Sequence, residues 1–247
     1  MSDLHLGDLS GKTILEVGSG RGDTSRELVK HLAGQPGARL NLTDISDAHF
    51  AALAQEFADA GVQTEFIRTS ALKLAGIKSA SIDLLVCSFT LCAVNAISGQ
   101  GTLALQRFYE VLKPGGELFI REELPIYMAA NPAQQIWQEK WAILRALQLL
   151  TGNKPWQEYQ PDVLQALVEI IGFKDVDYED QLSVHTNPNT LDFFSRRAEM
   201  LLAELHPAEF SDAFQTRISS LHAAFKQVGM MEVPWYELRA LKPWRIE

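Results

Sequence analysis

Apolar and polar positions follow two different rhythms along this chain, and the change between them comes near its middle. In the first half, short apolar runs at residues 13–17, 38–43, 63–67, 82–88 and 117–121 predict five strands. Between them, residues 24–33, 48–60 and 102–112 carry apolar side chains at helical spacing. Leu28, Val29 and Leu32 form one stripe; Phe50, Leu53, Ala54 and Phe57 form another. Strands separated by single helices predict βαβ units and a parallel sheet. The run Asp83-Leu84-Leu85-Val86-Cys87 shows no polar alternation, as expected of a strand buried on both faces.

The second half is mostly helical. Asn131-Pro132 reads as an N-cap followed by proline at the first helical position, opening a helix to about residue 150. Residues 161–171 predict another helix closed by Gly172, and residues 173–182 a strand. Two more amphipathic helices follow. Leu191, Phe194, Ala198, Leu201 and Leu205 line the first; Phe210, Phe214, Ile218, Leu221, Phe225 and Val228 line the second. Residues 232–241 predict a closing strand. No repeat or Gly/Ser/Pro-rich linker appears, so one domain is expected. Its core would hold residues 10–124, 161–184 and 230–247, with helical insertions at about 125–160 and 187–229.

Composition narrows the class. Hydrophobic residues make up 47% and charged residues 21%, which excludes a disordered chain. Two cysteines, Cys87 and Cys92, are too few for a disulfide scaffold and suit a reducing compartment. No apolar stretch reaches about 18 residues, so no membrane span is expected. The start lacks the basic and apolar regions of a secretory signal, which points to a cytoplasmic protein. Thirty-one acidic against 22 basic side chains give a net charge of −9, weighing against nucleic-acid binding. Neither the histidines nor the cysteines show metal-ligand spacing, so no metal is expected.

The strongest chemical signal is Glu16-Val17-Gly18-Ser19-Gly20-Arg21-Gly22-Asp23, at the first turn from strand to helix. Glycines there let a ligand approach the backbone and the helix N-terminus. The dinucleotide pattern G-x-G-x-x-G would need glycine at 23, where Asp would repel a pyrophosphate. The loop therefore suits an ammonium or sulfonium ligand. Asp44 ends the second strand, where a carboxylate can accept both hydroxyls of a ribose.

On these residues the chain resembles the class I S-adenosylmethionine-dependent methyltransferases. Glu16 to Gly22 is similar to the family's E-x-G-x-G-x-G loop, and Asp44 falls at its ribose-binding acid. Asp83 to Phe89 resembles the fourth strand and the loop after it. Val111-Leu112-Lys113-Pro114-Gly115-Gly116-Glu117-Leu118 resembles the turn before the fifth. The resemblance implies an α/β, Rossmann-like, doubly wound sheet of seven strands. The sheet would be mainly parallel, with an antiparallel last strand and two helical insertions forming a lid. It implies S-adenosylmethionine as cofactor and S-adenosylhomocysteine as product. Gly18, Ser19, Gly20 and Gly22 would serve the methionine moiety, with Glu16 near its amino group. Asp44 would hold the ribose and Ile45 the adenine, with Ser70, Ala71, Ser88 and Phe89 completing the site. Two departures matter. Thr69-Ser70-Ala71 replaces the usual Gly-Asp-Ala, which weakens an adenine contact. Leu91-Cys92-Ala93 replaces a common His, which removes one candidate base.

Acceptor chemistry is expected beyond the carboxyl ends of the strands. Glu122 and Glu123 follow the fifth strand and could orient an amine or act as a base. His185, after the sixth strand, is a third catalytic candidate. Tyr127, Trp156 and Tyr159 are candidate substrate-binding aromatics, whereas Trp137 and Trp141 are expected to pack. The leading reading is methyl transfer to a small molecule through N, O or S, leaning to a planar or amine-bearing acceptor. No nucleic-acid or membrane partner is expected, and the chain would be a monomer or homodimer. The alternatives are an RNA or protein methyltransferase, a non-catalytic binding module and a nicotinamide oxidoreductase. The last is disfavoured by Asp23.

Overall fold

The structure is a computed structural model and describes residues 6–125 and 129–244, with positions 208 and 209 described by backbone alone. The strands are β1 (Thr13–Val17), β2 (Arg39–Asp44), β3 (Gln63–Arg68), β4 (Ile82–Ser88), β5 (Leu112–Glu123), β6 (Lys174–His185) and β7 (Met231–Leu241). The helices are α1 (Asp23–Leu32), α2 (Phe50–Phe57), α3 (Leu91–Val94), α4 (Gln100–Val111), α5 (Pro132–Leu150), α6 (Pro161–Ile171), α7 (Asp192–Ala203) and α8 (Ala208–Val228).

The strands form one seven-stranded sheet in the order β3-β2-β1-β4-β5-β7-β6. Neighbours from β3 to β5 run parallel, with Leu15 opposite both Asn41 and Leu85. The last strand is antiparallel. Gly115 N–H donates to Lys242 O at 2.7 Å and Leu124 N–H to Pro234 O at 2.9 Å, so β5 rises as β7 falls. The order reverses between β1 and β4, the switch point at which open α/β sheets bind ligands.

The chain divides into two compact units. The first takes in the described residues of Met1–Glu122, Tyr159–Glu179 and Tyr236–Glu247; the second, those of Glu123–Glu158 and Asp180–Trp235. In the first, Ile14, Leu40, Leu42 and Val86 of the sheet pack with Leu28 and Leu32 of α1 and Leu53 and Phe57 of α2. Helix α1 buries its predicted stripe of Leu28, Val29 and Leu32, whereas of the α2 stripe Leu53 and Phe57 are buried, Phe50 is half-buried and Ala54 is exposed. In the second, Ile136, Ile143 and Leu147 of α5 pack with Phe194 and Leu201 of α7 and Leu221 and Phe225 of α8. Asn131 caps α5 by accepting from Gln134 N at 2.9 Å, with Pro132 at its first position.

Several elements differ from the sequence reading. Residues 91–94 form the short helix α3, too brief to leave a periodic signal. Helix α4 opens at Gln100, two residues early. Strand β5 begins at Leu112, not residue 117, and carries Lys113-Pro114-Gly115-Gly116 within it. The register shift between Ile82 and Leu84 absorbs that irregular stretch.

Candidate active site

In the first unit, the carboxyl ends of β1, β2 and β4 and the segment after β3 open onto a cleft of about 550 Å³. Gly18, Ser19 and Gly20 form one wall, and Asp44 and Ile45 the next. Ser70, Ala71 and Leu72 follow β3, and Ser88, Phe89 and Thr90 follow β4. Ala93, Val94, Ile97 and Gln100 are also among the lining residues. The volume is that of an ordinary small-molecule site.

The glycine loop is held by backbone. Gly18 and Ser19 N–H donate to Thr43 O at 2.8 and 3.0 Å. Gly18 has φ +82°, and a Cβ there would lie 2.1 Å from Thr90 Oγ1, so only glycine fits. Gly22 serves a different contact and is absent from the lining. Its φ is +87°, and a Cβ would meet Leu53 Cδ2 at 2.3 Å, so it lets the start of α1 approach α2.

Asp44 is fixed from two sides. Gly20 N–H donates to Oδ2 and Ser46 N–H to Oδ1, each at 2.9 Å. Each oxygen keeps acceptor capacity for a further hydroxyl. Ile45 beside it is 72% exposed, an apolar face available to a planar ring. Two buried wall hydroxyls, Ser19 Oγ and Ser88 Oγ, have no hydrogen-bond partner. An orphaned buried hydroxyl costs about 1–3 kcal/mol, which a ligand in the cleft would relieve. Phe89 has φ +49°, rare for a non-glycine residue, and its N–H is held by Arg121 O at 2.7 Å. The donor set and volume fit S-adenosylmethionine, with Asp44 for a diol, Ile45 and Leu72 for a base, and unpartnered hydroxyls for polar groups.

Glu16 lies outside the lining, buried within the unit. Ser25 Oγ donates to its Oε2 at 2.6 Å. Burial pushes its pKa up to about 7 against the Ser25 hydrogen bond, aided by the charges of Asp44, Glu27 and Asp23.

Glu122 and Glu123 do not form a pair. Successive strand residues face opposite ways, and each has its own partners. Glu122 is buried and accepts from Cys92 N–H at 3.2 Å. Glu123 Oε2 accepts from Trp137 Nε1 at 2.8 Å and Trp141 Nε1 at 2.6 Å. His185 ends β6, half-buried, its pKa held below the usual value by burial and the Lys140 charge. Tyr159 OH donates to Asn95 Oδ1 at 2.9 Å, and its ring sits where Gly101 leaves room. Burial pushes the Tyr159 pKa up, against a hydrogen bond with Thr102. Trp156 packs against Trp141 in a tilted arrangement, with centroids 5.6 Å apart. Tyr127 lies outside the described residues. Glu122 and Tyr159 therefore belong to the unit that holds the cleft, and Glu123, Trp156 and His185 to the other. The sequence reading missed Thr90, Val94, Ile97 and Gln100. The Gly18–Thr90 contact has no sequence signature, and α3 is too short to have one. Among the described residues, no cluster of three His, Cys, Asp or Glu side chains can hold a metal ion. Among the described residues, no helix is long and apolar enough to cross a membrane.

Comparison with known proteins shows what the chain is similar to. A family model described as a methyltransferase domain matches residues 14–116. Over 182 residues the chain is 27% identical to a ubiquinone/menaquinone biosynthesis C-methyltransferase of Escherichia fergusonii, covering 68% of each. It is 25% identical over 247 residues to the squalestatin tetraketide synthase of a Phoma species, covering 93% of this chain and 9% of that one. This chain thus spans about a tenth of the length of that synthase. A structure of Haemonchus contortus phosphoethanolamine N-methyltransferase 2 contains phosphomonomethylethanolamine and S-adenosylhomocysteine. It superposes with a TM-score of 0.56 at 17% identity, covering 95% of this chain and 49% of that one. The methyltransferase-domain model thus matches the β1–β5 half of the chain, and the phosphoethanolamine N-methyltransferase structure shares its fold.

Proposed function

We propose that the chain binds S-adenosylmethionine in this cleft and transfers its methyl group to a small-molecule acceptor. One observation carries the reading. A carboxylate at the end of β2, Asp44, is fixed by Gly20 and Ser46 N–H groups beside two buried unpartnered hydroxyls. The bound cofactor supplies a methyl carbon activated by a sulfonium. An acceptor held in line with that carbon would take the methyl group, and the carbon–sulfur bonding electrons would remain on sulfur. Because the electrophile is already activated, alignment does most of the work, and positioning supplies roughly 7–11 kcal/mol in favourable cases.

Among the proposed catalytic groups, Glu122 is the carboxylate of the cleft-bearing unit. It would take the acceptor's proton or orient an amine. Glu123, His185, Trp156 and Tyr159 remain candidates for acceptor recognition. Of the proteins named above, one is a C-methyltransferase and one an N-methyltransferase, so the acceptor atom is left to experiment. Residues 125–160 and 187–229 are read as insertions into one methyltransferase domain. The test is a labelled-methyl screen over amines, phenols, carbon acids, thiols, RNA and protein. Labelling of a small molecule supports the proposal. Labelling of RNA or protein alone overturns it.

A further inference from the structure

We propose that Tyr159, Asn95 and Thr102 form a clamp that sets one wall of the cleft, which makes Tyr159 a positioning residue for ligand binding. The inference rests on the cofactor assignment above and adds residues that hold the site without lining it. The wall runs from α3 to the start of α4, where Ala93, Val94, Ile97 and Gln100 face the cleft. Asn95, Thr102 and Tyr159 belong to the same unit and are absent from the lining.

The backbone of this segment is bonded locally. Asn95 N–H donates to Leu91 O at 2.8 Å, Ala96 N–H to Ala93 O at 3.3 Å, Gln100 N–H to Ile97 O at 3.0 Å and Leu103 N–H to Gly99 O at 3.2 Å. None of these four bonds reaches the sheet; side chains make that connection. At the α3 end, Glu122 of β5 accepts from Cys92 N–H at 3.2 Å. Beyond it, the Tyr159 hydroxyl donates to Asn95 Oδ1 at 2.9 Å and shares a hydrogen bond with Thr102. Tyr159 is tied in turn to β7, where the buried Tyr236 hydroxyl donates to Tyr159 O at 3.1 Å. Gly101 of α4 gives the phenol its seat, since a Cβ there would lie 2.2 Å from Tyr159 Oη.

One hydroxyl thus spans the loop between α3 and α4, and Ile97 and Gln100 fall between its two partners in the chain. Ile97 is 41% exposed, apolar surface that a ligand in the cleft would cover. Loss of the bridge lets the loop leave this arrangement. Apparent affinity then falls with the fraction of molecules whose wall is in place. The role acts through the wall and is separate from any contact of Tyr159 with an acceptor.

Calorimetric titration of S-adenosylmethionine into wild type, Tyr159→Phe, Gly101→Ala and Asn95→Ala, with thermal melting of each, tests this. Tyr159→Phe keeps the ring and removes the hydroxyl. Its Kd is expected to rise about fivefold, the equivalent of one net hydrogen bond. Gly101→Ala keeps the hydroxyl but displaces it, and should raise Kd to a similar extent. Asn95→Ala should also weaken binding, and adding Tyr159→Phe to it should cost little more, because both remove the same bridge. A Kd within twofold of wild type in both Tyr159→Phe and Gly101→Ala, whatever their Tm, makes Tyr159 a packing residue and overturns the inference alone. Binding by none of the proteins overturns the cofactor assignment and the inference with it.

Discussion

The Gly20 amide donates to Asp44 Oδ2 at 2.9 Å, tying the loop after β1 to the end of β2. One hydrogen bond thereby sets the distance between two cleft walls before any ligand arrives. Asp44 is held in place by backbone donors, so it loses little freedom on accepting a ligand hydroxyl.

Gly18 should not tolerate a side chain. Gly18→Ala would force a Cβ to 2.1 Å from Thr90 Oγ1 at a φ of +82°. Strain at such a position costs about 1–3 kcal/mol. We expect a lower Tm and a cofactor affinity reduced at least tenfold, read by thermal melting and calorimetry. Wild-type values in both would refute the wall geometry.

Arg121 anchors the first unit from inside. Its guanidinium is fully buried and bonds Glu27 and Glu237, each at 2.8 Å. Arg121→Ala leaves two carboxylates without their cation, and removing one partner of a buried pair costs about 3–5 kcal/mol. Urea denaturation should show that loss. A change below about 1 kcal/mol would mean that the carboxylates find water instead.

Glu16 makes stability depend on pH in a defined direction. Its native pKa of about 7 lies above the ordinary 4.5, so the folded chain binds more protons than the unfolded one between those values. Its destabilising effect is absent below about pH 4.5, grows up to about pH 7 and then levels off. The full effect is about 2–4 kcal/mol. Glu16→Gln should therefore be more stable than wild type at pH 8, with the gap closing toward pH 4.5. A pH-independent gap would contradict the assignment.

Glu123 organises the aromatic part of the second unit. Trp137 and Trp141 both donate to its Oε2. Glu123→Ala orphans two indole N–H groups, at about 1–3 kcal/mol each where buried. Tryptophan fluorescence and melting should both shift, and Glu123→Gln, which keeps an acceptor oxygen, should shift them less.

The first-half elements were legible because each buries a face that its spacing declares. Leu28 and Leu32 are the clearest cases, both in the core beside Ile14. The loop glycines and Asp44 were legible because backbone approach and ribose acceptance demand those residue types at those places. Helix α3 was not, since four residues carry no period. The start of β5 was hidden by Pro114-Gly115-Gly116, which reads as a stop but is carried through by pairing with Lys242. The partners of Glu122 and Glu123 were also hidden. They depend on which way successive strand residues face and on contacts with residues far along the chain.

Calorimetric titration of S-adenosylmethionine into the wild-type chain and Asp44→Ala decides whether the cleft holds the cofactor through Asp44. The account predicts saturable binding to wild type and a loss of at least tenfold in Asp44→Ala, about 1.4 kcal/mol or more. No binding to the wild type, or equal binding to both proteins, would contradict it.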